Sequence, residues 1–275
     1  MEISDEIYSF FATYVFKHTG IEYQKHDYYR LDSRIKSLID HYKCETAEVL
    51  YKKCKAGIDQ SMHNYMVDLF TNNETYFMRD IKPFKSMGKA VIPMLKELFK
   101  NPMSIKIWSC ASSTGQEIYS IQMAVDSFGD PADSKLLRID ASDISDDALR
   151  RAKEGSYSAL EVQRGLPAPF LIKYFTKLPN SENWAIKPDL KTRANFFKFN
   201  LLSGIFPVNK YHIIFCRNVL IYQNQENKRK ILTDITQALK PGGILVFGAG
   251  ESLIGMKLPL KHIEIEGAWF YQKTE

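Results

Sequence analysis

From Ile105 onward the chain alternates short apolar runs with stretches of helical length, and the first such unit constrains the fold most. Ile105 to Trp108 reads as a strand, Ser109 to Gly115 as a turn of small residues, and 115–128 as a helix. Candidate strands at 136–142, 211–216 and 244–248 and candidate helices at 146–154 and 224–239 continue the alternation. That order predicts an α/β fold with a doubly wound, mostly parallel sheet. Its ligand corner lies at the carboxyl end of the first strand, where small side chains let a bound molecule approach the backbone.

The corner excludes two common ligands. Gly115 is the only glycine in it, so the G-x-G-x-x-G fingerprint is absent, and no Gly-Lys-Ser/Thr follows as in a P-loop. It instead places Glu117 in the first turn of the helix. A carboxylate there suits a cationic group such as an amino-acid ammonium, or simply favours the helix dipole. Asp143 ends the second strand, where an acidic residue typically meets a ribose. The alternative is a helix-capping role, but Ser145 can cap without it. An ammonium site and a ribose site together suggest an amino-acid nucleoside, of which S-adenosylmethionine is the common one.

The rest of the chain adds organisation. Residues 1–72 show helical spacing, as in Ile3, Ile7, Phe10, Phe11 and Tyr14, and predict an N-terminal helical domain. Residues 73–100 read as a bridging segment and a helix, and 101–275 as the cofactor-binding domain. Within the latter, 173–200 is expected to form a small antiparallel β insertion with strands at 183–187 and 195–199 and a third near Phe175. Ala268 to Lys273 reads as a final, antiparallel edge strand. Cys44, Cys54, Cys110 and Cys216 show no C-x-x-C spacing and the six histidines no zinc-type pair, so no metal is expected. No apolar run is long enough for a membrane span and the N-terminus lacks a signal-peptide layout, so a cytoplasmic protein without membrane insertion is expected.

The net charge is +5, and its placement is uneven. Between 173 and 198 lie Lys173, Lys177, Lys187, Lys191, Arg193 and Lys198 against only Glu182 and Asp189. This is either a solvated loop or a docking surface for an acidic partner. The near-neutral remainder lacks the broad basic track of nucleic-acid binding.

Several runs resemble the CheR-type methyltransferase family, which methylates glutamates of chemotaxis receptors. They are Thr71 to Asp80, containing Asn-x-Thr-x-Phe-x-Arg; Ala111 to Ser120; Asp143 with Gly155-Ser156-Tyr157; Phe199 to Leu202; and Phe215 to Tyr222, containing Cys-Arg-Asn-Val-x-Ile-Tyr. Leu239 to Gly243 and Gly250-Glu251-Ser252 follow. The match is collinear from about residue 1 to 270. Met78, Gln116 and Ile118 depart from the usual pattern. The resemblance implies S-adenosylmethionine as cofactor, with S-adenosylhomocysteine as product. It implies that Asn73, Thr75 and Arg79 lie near the methionine end and the acceptor, that Glu117 holds the amino group and Asp143 the ribose, and that Asn200 and Leu201 border the adenine. Arg217 and Asn218 would close the pocket, with Arg79 and Tyr222 as catalytic candidates. The implied partner is a chemotaxis-receptor cytoplasmic domain, its acidic tail meeting 173–198 and its methylation helices meeting Arg30, Arg34 and Lys36. A monomer is expected. Two other readings are a cofactor-binding signalling relative without turnover, and a methyltransferase for another protein or for nucleic acid. The Asn-Pro-Pro-Tyr loop of amino-methylating enzymes is absent.

Overall fold

The computed structural model describes residues 3–253 and 255–274. The main sheet contains β1 (Ile105–Ser109), β2 (Leu137–Asp143), β6 (Ala194–Lys198), β7 (Tyr211–Cys216), β8 (Leu239–Phe247), β9 (Leu260–Ile265) and β10 (Ala268–Lys273). Their order is β6-β2-β1-β7-β8-β10-β9. The first five run parallel, and the β9–β10 hairpin closes one edge antiparallel. β7 is buried on both faces and β1 is buried except at Lys106: Ile105, Ile107, Ile213 and Phe215 pack on one side, Trp108, Ile214 and Cys216 on the other. This is why these strands read as continuous apolar runs rather than as alternation.

Four helices, Asp5–Thr19, Tyr29–His41, Ala47–Ala56 and Gln60–Phe70, pack around a separate core that includes Phe11, Leu31, Ile35 and Phe70. The 81–98 stretch behaves differently. Phe84, Met87, Val91 and Leu95 bury into the same core as the sheet. Its helix is widened at Met87–Val91, where Gly88 packs backbone to backbone on the Gln116–Phe128 helix. A β carbon on Gly88 would lie 2.7 Å from the Ala124 carbonyl oxygen. The bridge is thereby fixed against the helix that carries Glu117.

Three expectations need correction. The 195–199 strand does not join the small antiparallel sheet. It forms β6, the parallel edge strand beside β2, with Phe197 opposite Ser142 and Lys198 opposite Asp143. The small sheet consists instead of β3 (Ser156–Tyr157), β4 (Phe175–Lys177) and β5 (Trp184–Ile186). The final strand β10 is antiparallel but interior, because β9 pairs outside it. β9 escapes a periodicity reading because its half-buried residues, Leu260, Ile263 and Ile265, break strict alternation in a hairpin rich in Lys, His and Glu.

His212 shows how the parallel core treats a titratable group. It is 3% exposed, and its Nδ1 accepts the Lys106 N–H at 2.9 Å. Burial, aided by Lys240 and Lys106, lowers its pKa to about 4. The unfolded chain protonates this histidine at ~6.5, so between those values the unfolded state binds the extra proton. Stability therefore falls as pH drops through that window, by up to ~3 kcal/mol from this group. His212→Gln, which keeps an acceptor, is expected to flatten the loss between pH ~6.5 and ~4 relative to the parent. Urea unfolding at a series of pH values checks this; an unchanged slope would exclude His212 as its source.

Candidate functional site

A cleft of roughly 980 Å³, its open mouth included, lies over the carboxyl ends of β1, β2 and β7. Asn73, Thr75, Arg79, Glu117, Asp143, Asn200, Leu201, Arg217, Asn218 and Tyr222 all line it. They come from the bridge, from the end of β2, from the segments after β6 and β7, and from the first turn of the Gln116–Phe128 helix. Thr19, Ile21 and Thr71 of the helical region complete one wall.

Each polar group is held in a particular state. Asp143 is 7% exposed, and its two oxygens accept backbone N–H groups from Ser113 at 2.8 Å and Ser145 at 3.0 Å. Burial raises its pKa against the opposing pull of those donors. Ser145 caps the following helix by accepting the Ala148 N–H at 3.0 Å. Asp143 therefore shapes the corner turn as well as facing the cleft, since each carboxylate oxygen has further acceptor capacity.

Glu117 is nearly buried. Its Oε1 accepts the Ser109 hydroxyl at 2.8 Å, and its Oε2 accepts Arg217 Nη1 at 2.9 Å. Arg217, with a side chain 2% exposed, also donates from Nη2 to Asp80 at 2.8 Å and to the Arg79 carbonyl at 2.7 Å. Its Nε has no partner among the described residues. A buried, unfilled donor in a cleft is the kind of group that a bound carboxylate or carbonyl satisfies.

Arg79 differs from Arg217. Its Nη1 donates to the Glu74 carbonyl at 3.1 Å and its guanidinium lies over the Tyr76 ring, but it has no carboxylate within ion-pair distance among the described residues. The neighbouring acid, Asp80, is taken by Arg217. The Tyr222 hydroxyl accepts Asn72 Nδ2 at 2.7 Å, joining the bridge to the loop after β7. Asn73 docks the bridge on the ligand corner by accepting the Ser113 hydroxyl at 2.7 Å through its carbonyl. Asn200 donates to the His18 carbonyl at 2.8 Å. The departures from the family pattern serve packing: Met78 and Ile118 lie in the main core, and buried Gln116 accepts the Thr114 hydroxyl at 2.7 Å.

Sequence reasoning misses Ser113, which holds Asp143 and Asn73, misses the pairing of Asp80 with Arg217, and assigns no role to Glu251, which accepts the N–H groups of Asn218, Val219 and Leu220. These partners are remote in sequence, so no spacing rule exposes them; only the Gly-Glu-Ser run signals Glu251.

One carboxylate ending the second strand, another in the first turn of the helix after β1 and an apolar wall of Phe199, Leu201 and Leu202 form a site suited to an amino-acid nucleoside such as S-adenosylmethionine. The comparison with known proteins carries this further. Residues 73–268 match the family model "CheR methyltransferase, SAM binding domain". The chemotaxis protein methyltransferase Cher2 of Pseudomonas putida is 35% identical over 95% of this chain and 96% of its own. Chemotaxis protein methyltransferase 1 of Pseudomonas aeruginosa is 36% identical over 92% of each. The chemotaxis protein methyltransferase of Borreliella burgdorferi is 30% identical over 88% of this chain and 87% of its own. The chain belongs to the CheR methyltransferase family.

Asp143→Ala is expected to weaken S-adenosylmethionine and S-adenosylhomocysteine alike, because both carry the same ribose. A charge-assisted hydrogen-bonded contact is worth ~1.5–3 kcal/mol, or roughly a tenfold to hundredfold loss of affinity. Titration calorimetry checks it, and an unchanged Kd for both ligands would remove Asp143 from the site.

Proposed function

We propose that this protein esterifies glutamate side chains on the cytoplasmic domain of a chemotaxis receptor. It would act as a cytoplasmic monomer, using S-adenosylmethionine and releasing S-adenosylhomocysteine. The observation that carries this reading is the lack of a free base in the cleft. No histidine or lysine lines it among the described residues. Each lining carboxylate is engaged: Glu74 by Arg164 at 2.6 Å, Glu117 by Arg217, and Asp143 by backbone N–H groups. An amine or alcohol acceptor needs its proton removed, whereas a glutamate is already ionised at pH 7 and needs no base.

The cofactor supplies an activated methyl group on a sulfonium. Glu117 would hold its ammonium, Asp143 its ribose, and Asn200 and Leu201 its adenine, while Asn73, Thr75 and Asn218 line the remaining wall. The acceptor carboxylate and the sulfonium lose their charges as they react, so water, which stabilises separated charges, must be excluded. Arg79, the guanidinium without a carboxylate partner, would orient the acceptor in two-point fashion. Tyr222, steadied by Asn72, would provide a second hydrogen bond.

Arg79→Ala is expected to lower the single-turnover rate of labelled methyl transfer to a receptor fragment by more than it lowers cofactor affinity. Arg79→Lys should recover only part of the rate, because an ammonium lacks the planar fork. Parent-like rates in the alanine variant would end the orienting role. Absence of transfer by the parent to every receptor fragment of its organism would favour a binding relative without turnover.

The division into an N-terminal domain (1–72), a bridge (73–100) and a cofactor domain (101–275) belongs to the same proposal. So does receptor contact through two surfaces. On the helical region Arg30 and Lys36 are exposed, whereas Arg34 turns inward onto Tyr23 and the Phe70 carbonyl. In the 173–198 segment, Lys173, Lys177, Arg193 and Lys198 pair with Asp126, Glu182, Asp189 and Asp146. Among the described residues Lys187 and Lys191 bond backbone carbonyls and pair with no carboxylate. They would carry the attraction for an acidic receptor tail. Lys187→Gln with Lys191→Gln is expected to raise the KM for tailed receptor at low salt while sparing cofactor affinity, since exposed charges are screened beyond ~8 Å at physiological salt. An equal KM for parent and variant at low salt would reduce the segment to a solvated loop.

A further inference from the structure

Glu251 follows β8, some thirty residues beyond the loop it holds. Its Oε2 accepts the N–H groups of Asn218 at 2.7 Å and Gly248 at 3.0 Å, and its Oε1 those of Val219 at 3.0 Å and Leu220 at 2.8 Å. Three successive N–H groups converging on one carboxylate form an anion-binding concavity in the backbone. Here the chain fills it with its own side chain. Asn218 takes a left-handed conformation, φ 59°, to make this possible. A β carbon on Gly248 would lie 2.6 Å from Asn218 Nδ2 and 3.1 Å from Glu251 Oε2, so a side chain there would displace the Asn218 and Glu251 side chains. The carboxylate has no cationic partner within ion-pair distance among the described residues; backbone dipoles alone hold its charge.

The clamped turn runs directly into the single helical turn Leu220–Tyr222. We propose that Glu251 is a positioning residue for methyl transfer, fixing the 217–222 turn so that Tyr222 meets the acceptor at the mouth of the cleft. This rests on the role of Tyr222 given above. Arg217 has its own anchors in Glu117, Asp80 and the Arg79 carbonyl, and Asp143 lies on another strand. Loss of the clamp therefore disturbs Tyr222 while leaving most cofactor contacts in place.

Glu251→Gln keeps the size but turns an NH₂ toward N–H donors that need an acceptor. Single-turnover transfer to a receptor fragment is expected to slow by about tenfold or more, with S-adenosylhomocysteine affinity within about threefold of the parent. In a Tyr222→Phe background the same change should slow transfer by less than about twofold further, because both act through one group. Fully additive losses would overturn the proposal, as would a proportional fall in cofactor affinity. A parent-like rate for Glu251→Gln beside a slow Tyr222→Phe would overturn it while leaving the Tyr222 role standing. A parent-like Tyr222→Phe would remove that role and this proposal together. Thermal unfolding establishes that the variant is folded. If it is not, Gly248→Ala, which pushes Asn218 and Glu251 apart from the other side, undergoes the same comparison with the same deciding outcomes.

Discussion

The Arg217 guanidinium ties together three segments that are remote from one another in sequence. It leaves the end of β7, reaches Glu117 on the helix after β1, and binds Asp80 and the Arg79 carbonyl on the bridge. Phe84 lies against its face, with the guanidinium carbon 5.3 Å from the ring centroid. Removing one partner of a buried ion pair strands the other, at a cost of ~3–5 kcal/mol, whereas the intact pair contributes far less net stability. The network therefore specifies geometry more than it stabilises the fold. It sets where Glu117 can offer its remaining acceptor capacity, and it withdraws Asp80 so that Arg79 stays without a carboxylate partner.

That geometry carries local backbone strain. Met78, Asp80, Ser113 and Asn218 all have φ between 48° and 59° without being glycine. Left-handed backbone costs of order 1–2 kcal/mol for a side-chain-bearing residue. Each is offset by a bond that the strained conformation makes possible: the Met78 N–H to Ser120 Oγ at 2.9 Å, the Ser113 N–H to Asp143, Asp80 to Arg217, and the Asn218 N–H to Glu251. The strain sits where the bridge and the loop after β7 meet the ligand corner, so contacts to the sheet and its first crossover helix hold these segments in a strained shape.

Asp143 and Glu117 are legible in the chain because each sits at a fixed offset from a strand end, and parallel strands buried on both faces announce themselves as apolar runs. The order of strands is not legible at the edges. Ala194 to Lys198 looks like insertion sequence because its neighbours are basic, yet its adjacent Phe196 and Phe197 are both half-buried on opposite faces of a parallel edge strand. Arg79 can be placed at the site from the family motif, but its state cannot. Asp80 is its neighbour in the chain, and only the fold shows Arg217 taking that acid. Glu251 is opaque for the same reason: its four donors are backbone groups, which carry no residue signature at all.

The helical region is more than an attached module, because the cleft is incomplete without it. Thr19 and Ile21 line the cleft, and Ile21 makes a β-bridge with Gln223 beside Tyr222. Gln223 Nε2 donates to the Thr19 carbonyl at 3.1 Å. A β carbon on Gly20 would lie 2.0 Å from Gln223 Oε1, so this approach tolerates no side chain. A ligand that touches both walls stabilises their docking by the same free energy with which docking stabilises the ligand. Any ligand that binds the helical region and favours this docking would therefore also favour the closed cleft, because that region forms one of its walls.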